Sequence, residues 1–197
     1  KYSNQINENE KKNFDENLKI INNQIKQIGN LVNEFSDFAR MPKPILKENN
    51  LVKIIQENIK LLNELDNTIN ISINSNKREI FLNSDKEQLA RVFFNIIKNS
   101  IESIQQRVEN DSNIEKKITI EVDEVNNHII VSVVDNGIGF DVFSKNIKDI
   151  LNPYFTTKKN GTGLGLSIVS KIINDHNGKI EFIPLNEGAK IKIDFIK

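Results

Sequence analysis

Residues 118–139 read ITIEVDEVNNHIIVSVVDNGIG, two runs alternating apolar and polar positions around Asn126-Asn127 and ending in Asp135-Asn136-Gly137-Ile138-Gly139. Alternation with a period of two marks strands with one covered face. An Asn pair tolerates the positive φ of a tight hairpin turn. Residues 118–125 and 128–134 are therefore expected to be paired antiparallel strands, with Asp135 at a strand end beside two residues free of Cβ atoms. A carboxylate there accepts a hydrogen bond from an exocyclic amine, and glycines let the backbone approach a flat ring. The same letters also suit a plain Asp-Gly turn, and this segment alone does not choose.

Downstream, Gly161-Thr162-Gly163-Leu164-Gly165-Leu166 runs into an apolar helix expected over 166–175, and two strands follow near 180–183 and 189–195. Backbone N–H groups from such a loop and a helix N-terminus surround phosphates. The loop lacks the Lys-Ser/Thr ending of a P-loop and is not the first βα turn of a Rossmann unit. Before it, Pro153-Tyr154-Phe155-Thr156-Thr157-Lys158-Lys159 sets an aromatic anchor beside two lysines, the composition of a lid that brings positive charge to a phosphate.

Upstream, Ser84 and Glu87 have capping-box spacing, and Leu89, Val92, Phe93, Ile96, Ile97, Ser100, Ile101 and Ile104 form one helical face. Asn95 and Asn99 fall one turn apart at its margin, separated by about 40°. Their oxygens suit Mg²⁺ and their amide hydrogens suit phosphate; equally, they are exposed residues of an Asn-rich chain. Asn50 is placed to cap a helix carrying Leu51, Ile54, Ile55, Ile59 and Leu62, with short strands expected at 68–73 and 79–82. Pro42 and Pro44 end whatever helix precedes them, dividing 1–44 from 45–197. In the first part Phe14, Leu18, Ile21, Ile25, Ile28, Val32 and Phe35 recur at spacings of four and three, the seam of a long bundle helix. Residues 1–13 are nearly all polar and read as an inter-helix turn.

The 197 residues carry 27 Lys+Arg against 27 Asp+Glu, so no basic surplus points to nucleic acid. With no Cys there is no disulfide framework or thiolate chemistry. No run of 18 apolar residues occurs and the N-terminus has no signal-peptide core, so these residues are expected to be soluble and to make no membrane contact.

Together, Asn95-x-x-x-Asn99, Asp135-x-Gly137-x-Gly139, the 153–158 segment and the 161–166 glycine loop resemble, in order, the four nucleotide-binding boxes of histidine-kinase ATP-binding domains. Glu34-Phe35-Ser36-Asp37-Phe38-Ala39-Arg40-Met41-Pro42-Lys43-Pro44 resembles the second dimerisation helix and linker of nitrogen-regulation-type sensor kinases. The resemblance implies an α+β fold, a long bundle helix followed by an α/β sandwich with a mixed sheet of about five strands and three helices on one face. It implies ATP and Mg²⁺ as cofactors: Asp135 on the adenine amine, Gly137 and Gly139 shaping that wall, Asn95 and Asn99 holding metal and phosphates. Gly161, Thr162, Gly163, Leu164 and Gly165 would form the phosphate loop, with Phe155 anchoring the lid and Lys158 reaching a phosphate. Ala189 and Tyr154 depart from the Thr and Phe that many relatives carry.

The resemblance further implies γ-phosphoryl transfer to a histidine, relay to the Asp of a response-regulator receiver domain, homodimerisation through residues 14–40, and a cytoplasmic location beneath a membrane-anchored sensor. Gyrase-type ATPases carry a Glu where Asn95 stands; an amide orients a group but takes no proton, which favours transfer over hydrolysis. The chain's histidines, His128 and His176, both read as structural. The acceptor is thus expected on a helix preceding residue 1, this chain supplying only the ATP half and not phosphorylating itself. A serine/threonine kinase on the same scaffold, a non-catalytic nucleotide or dimerisation module, and a structural coiled coil are the rival readings.

Overall fold

The computed structural model describes residues 8–111, 113–140, 150–156, 158 and 161–197. The chain runs α1 (Glu8–Ala39), β1 (Lys47–Asn50), α2 (Leu51–Leu65), β2 (Asn70–Ser75), β3 (Phe81–Ser84), α3 (Lys86–Asn110), β4 (Lys117–Val125), β5 (His128–Asp135), α4 (Gly165–Asp175), β6 (Lys179–Pro184) and β7 (Ala189–Ile196). Five strands form one mixed sheet in the order β2-β4-β5-β7-β6, in which only β2 and β4 run parallel. The expected hairpin is its centre: Val125 pairs with His128 and Asn126 sits at φ 55°.

The pleat sends alternate side chains to one face. Ile118, Ile120 and Val122 of β4, Ile129, Val131 and Val133 of β5, and Ile191, Ile193 and Phe195 of β7 are all buried there. Three helices cover that face, α2 against β2, α3 against β4 and β5, and α4 against β6. The sandwich is the one expected from the sequence.

Three local expectations change. Lys47–Asn50, read as linker, is a strand paired antiparallel with β3. Ser84 does not cap α3; it ends β3 and its Oγ donates to Leu82 O at 3.2 Å. The cap is Asp85, whose Oδ1 accepts from the N–H groups of Glu87 and Gln88 at 3.1 Å each. A carboxylate one residue later meets the orphan N–H groups that strand pairing keeps Ser84 from reaching. Residues 8–13, expected in a turn, are helical in α1, while 1–7 lie outside the described residues.

His176 joins two helix ends. Its Nδ1 donates to Ile172 O at 2.8 Å and its Nε2 accepts from Asp85 N–H at 2.9 Å, with 6 % of the residue exposed. One neutral tautomer satisfies both bonds, so the imidazole is a buried tie between the end of α4 and the start of α3. In contrast, the stripe of α1 meets solvent: Phe14, Leu18, Ile21, Ile25, Ile28, Val32 and Phe35 are 41–61 % exposed.

Candidate functional site

Helix α3 is the spine on which several residues singled out by the sequence converge. Its Ser100 donates from Oγ to Asp135 Oδ2 at 3.0 Å, and Gly137 N–H donates to Asp135 Oδ1 at 3.0 Å. Asp135 is 5 % exposed. Burial holds its carboxyl above the usual carboxylate range, against the opposing pull of hydrogen bonds from Gly137, Ser100 and the backbone of Ala189. A desolvated acceptor at a strand end gains most from a ligand donor, as the adenine reading requires.

The backbone around Asp135 is packed too closely for side chains. A Cβ on Gly137 would stand 2.2 Å from Ser103 Oγ, and one on Gly139 2.5 Å from Gly188 O. Gly188 is a further residue of this wall. At φ +84° it lies so near that a Cβ would come within 1.9 Å of Asp135 O, a conformation and a clearance left to glycine. In sequence it showed only as a turn letter between two strands. Ala189, the departure noted above, pairs with Asp135 across the β5–β7 ladder and contributes its main chain.

The opposite wall is the glycine loop and the start of α4. Leu164 is buried at the N-cap position and makes no side-chain cap hydrogen bond to the first N–H groups of α4. Gly165 faces Asn95, whose Oδ1 would lie 3.7 Å from a Cβ at that position. Gly163 has φ +70°, with its Cβ position blocked by the backbone of Tyr154 and Phe155. The Gly163 carbonyl accepts from Tyr154 N–H at 3.1 Å, and Phe155 N–H donates to Asn152 O at 3.1 Å. Gly161 N–H donates to Lys158 O at 3.2 Å. The lid residues Thr157 and Lys159 lie outside the described residues.

Lys158 lies against α3. Its ammonium donates to Asn99 Oδ1 at 2.9 Å and pairs with the Glu102 carboxylate, so it rests on α3. A cation therefore already lies against the Asn99 oxygen, and the hard oxygens of Asn99 and Asn95 fit Mg²⁺ by the same chemistry. Among the described residues no cluster of three His, Asp or Glu side chains offers an all-protein metal cage. A weakly ligated metal carried in with a phosphate suits this donor set. Two contacts tie the cleft to the first helix: Thr162 Oγ1 donates to the Glu34 carboxylate, and Tyr154 stacks on Phe35 with ring centroids 6.4 Å apart. Neither was legible in sequence, since Glu34 and Thr162 are 128 residues apart.

Similarity to known proteins matches this geometry. The chain is 33 % identical over 182 residues to the nitrogen regulation protein NtrY of Azorhizobium caulinodans, covering 91 % of this chain and 23 % of that protein. It is 34 % identical over 196 residues to a putative NtrY-like sensor histidine kinase of Rickettsia prowazekii, covering 99 % of this chain and 31 % of that protein. It thus spans less than a third of the length of these relatives. The catalytic domain of histidine kinase ThkA superposes with a TM-score of 0.66 at 29 % identity, covering 77 % of this chain and 95 % of that domain. ThkA in complex with response regulator TrrA superposes at 0.71 and 23 % identity, covering 90 % and 49 %. Residues 84–196, from the last residue of β3 to the last residue of β7, match the family described as histidine kinase-, DNA gyrase B- and HSP90-like ATPase, and the chain belongs to that family.

Proposed function

We propose that this chain binds ATP with Mg²⁺ and is the phosphoryl-donor part of a sensor histidine kinase. The observation that carries the reading is the single spine of α3, which links the buried adenine acceptor Asp135 through Ser100 to Asn99 and Lys158, opposite the glycine loop. Asp135 and the wall of Gly137, Gly139 and Gly188 fix the base. Gly161, Thr162, Gly163, Leu164 and Gly165 form the loop that surrounds the phosphates, with the start of α4 supplying backbone donors and Phe155 anchoring the lid. Bound Mg²⁺ supplies charge neutralisation for the phosphates, and Asn95 and Asn99 are the residues that would hold it.

No carboxylate stands at Asn95 or Asn99 to take a proton from water, so the site orients the γ-phosphoryl group for a nucleophile from outside the cleft. Neither histidine of the chain serves. His176 has both nitrogens engaged in the core, and His128 opens β5 at the end remote from Asp135, about 23 Å away at roughly 3.3 Å per residue. The acceptor is a histidine on a dimerisation helix, with relay to a response-regulator receiver domain; the relatives' names and the ThkA complex support this. Residues 1–44 act as a dimerisation region joined to a catalytic region at 45–197. The open stripe of residues 14–40 then packs against a second copy, on the cytoplasmic side of a membrane-anchored sensor.

Calorimetric titration of ATP, with and without Mg²⁺, tests the ATP reading. Binding should require Mg²⁺ for full affinity, and Asp135→Asn, which keeps the side-chain shape, should weaken it by about tenfold or more. Equal affinity in the variant would remove Asp135 from the adenine site. Supplying a histidine-bearing dimerisation helix should yield acid-labile, base-stable phosphate, whereas acid-stable phosphate would mark a serine or threonine acceptor.

A further inference from the structure

Ser100, Ser103 and Arg107 recur on α3 at spacings of three and four and so share one face of the helix. That face grips the turn that follows β5. Ser100 Oγ donates to Asp135 Oδ2 at 3.0 Å, Ser103 O accepts from Ile138 N–H at 3.3 Å, and Arg107 Nη1 donates to Asn136 O at 2.9 Å. The Asn136 side chain is engaged with the segment entering β4: its Oδ1 accepts from Lys117 N–H at 3.0 Å and its Nδ2 donates to Glu115 O. Arg107 Nη2 reaches the other way, donating to Glu187 Oε2 at 3.1 Å in the turn between β6 and β7. The next residue is Gly188, whose missing Cβ lets that turn lie against Asp135 O. One guanidinium therefore bridges the two backbone segments that flank the Asp135 carboxylate. The Arg107 side chain is 23 % exposed and that of Glu187 73 %, so the bond to the Asn136 carbonyl is the stronger arm.

We propose that Arg107 is a positioning residue for base recognition: it sets the separation between the 135–139 turn and the β6–β7 turn, and thereby the aim of the Asp135 carboxylate at the exocyclic amine of the base. This rests on the ATP binding proposed above. Ser100 and Gly137 hold the carboxylate itself, while Arg107 holds the main chain on one side of it and the neighbouring turn on the other. A cation that merely complements a helix C-terminus needs only its charge, which lysine supplies equally. Bridging two acceptors in different segments needs the planar fork of arginine, because an ammonium on a flexible stem has no fixed plane. The phosphates lie at the opposite wall in the proposed site, so Arg107 acts on the hold of the base and not on theirs.

The test is the dissociation constant, in excess Mg²⁺, of ATP and of purine riboside triphosphate, which has the same ring and phosphates and lacks the amine. The quantity read is the ratio of the two constants, the preference for the amine, in the unaltered chain, Arg107→Met and Arg107→Lys. Arg107→Met should shrink that preference by about three- to tenfold through weaker ATP binding, while the constant of the analogue moves by about twofold or less. Arg107→Lys keeps the charge and much of the stem but not the fork, so the preference should still shrink, by about two- to fivefold. This variant decides the question if Arg107→Met does not fold. Equal weakening of both nucleotides, or a preference that lysine retains in full, would make Arg107 a general brace or a simple charge and overturn the proposal while ATP binding stands. An unaltered chain that binds ATP without preferring it to the analogue removes the amine contact, and one that binds no ATP removes the ATP reading; either result overturns the proposal as well.

Discussion

Helices α1 and α3 carry the same kind of apolar stripe and meet opposite surroundings. In α3, Leu89, Val92, Phe93, Ile96, Ile97 and Ile104 are 0 % exposed beneath the sheet and between α2 and α4. In α1, residues at equivalent spacing stand open, and among the described residues its contacts with the rest of the chain lie in the last turns, through Glu34, Phe35 and Phe38. Periodicity thus states that a face must be covered without stating by what. For α3 the cover is three elements of the same chain. For α1 no described element of the chain covers the stripe, which is what the proposed packing against a second copy would do.

The largest expected effect sharpens that contrast. Phe93→Ala should cost about 3–5 kcal/mol in denaturant unfolding, whereas Ile25→Ala should change unfolding by about 0.5 kcal/mol or less at low concentration and should instead weaken self-association seen by light scattering. Equal losses of stability from the two would show that α1 is packed on its own chain. A strictly monomeric mass at high concentration would remove the association site.

Next in size is Gly188→Ala. The new Cβ meets Asp135 O in a backbone conformation that alanine resists, for about 1–3 kcal/mol of strain. Because the displaced atom belongs to Asp135, ATP affinity should fall by about tenfold while the α1-dependent association stays as it was. Loss of association alongside ATP binding would deny that the two regions work separately.

The smallest effect concerns acid. Burial raises the Asp135 pKa above 3.8, so the unliganded fold binds a proton there more readily than the unfolded chain. Stability from this group is therefore greatest at low pH and is lost as pH rises through the window between 3.8 and the raised value. An adenine amine favours the ionised form, so ATP binding inside that window should release protons, measured as a calorimetric heat that depends on buffer ionisation. Proton uptake instead would mean that Asp135 binds the base while protonated.

What the letters revealed was local. The hairpin of β4 and β5, the stripe of α3 and the glycine loop each announce themselves within a dozen residues, because side-chain period and turn chemistry are set by neighbours. What they hid depends on distant partners. Lys47-Glu48-Asn49-Asn50 is a strand only because Phe81–Ser84 pairs with it, and that same pairing moved the α3 cap from Ser84 to Asp85. Gly188 gained meaning only beside Asp135, and Lys158 only beside Glu102. The close-packed strand end at Asp135, Gly137 and Gly139 was legible, while its support by Ser100, within a run read as apolar face, was not.

The contact of Thr162 with Glu34 also has a consequence in time. The two residues are separated by 128 positions. At about 5–20 residues per second, a ribosome delivers Thr162 some 6–26 s after Glu34. The first helix is therefore finished, with its seam bare, well before the lid exists to reach it. During that interval a neighbouring nascent copy is free to meet the seam, so the proposed pairing of chains would have a head start over the contact of Thr162 with Glu34.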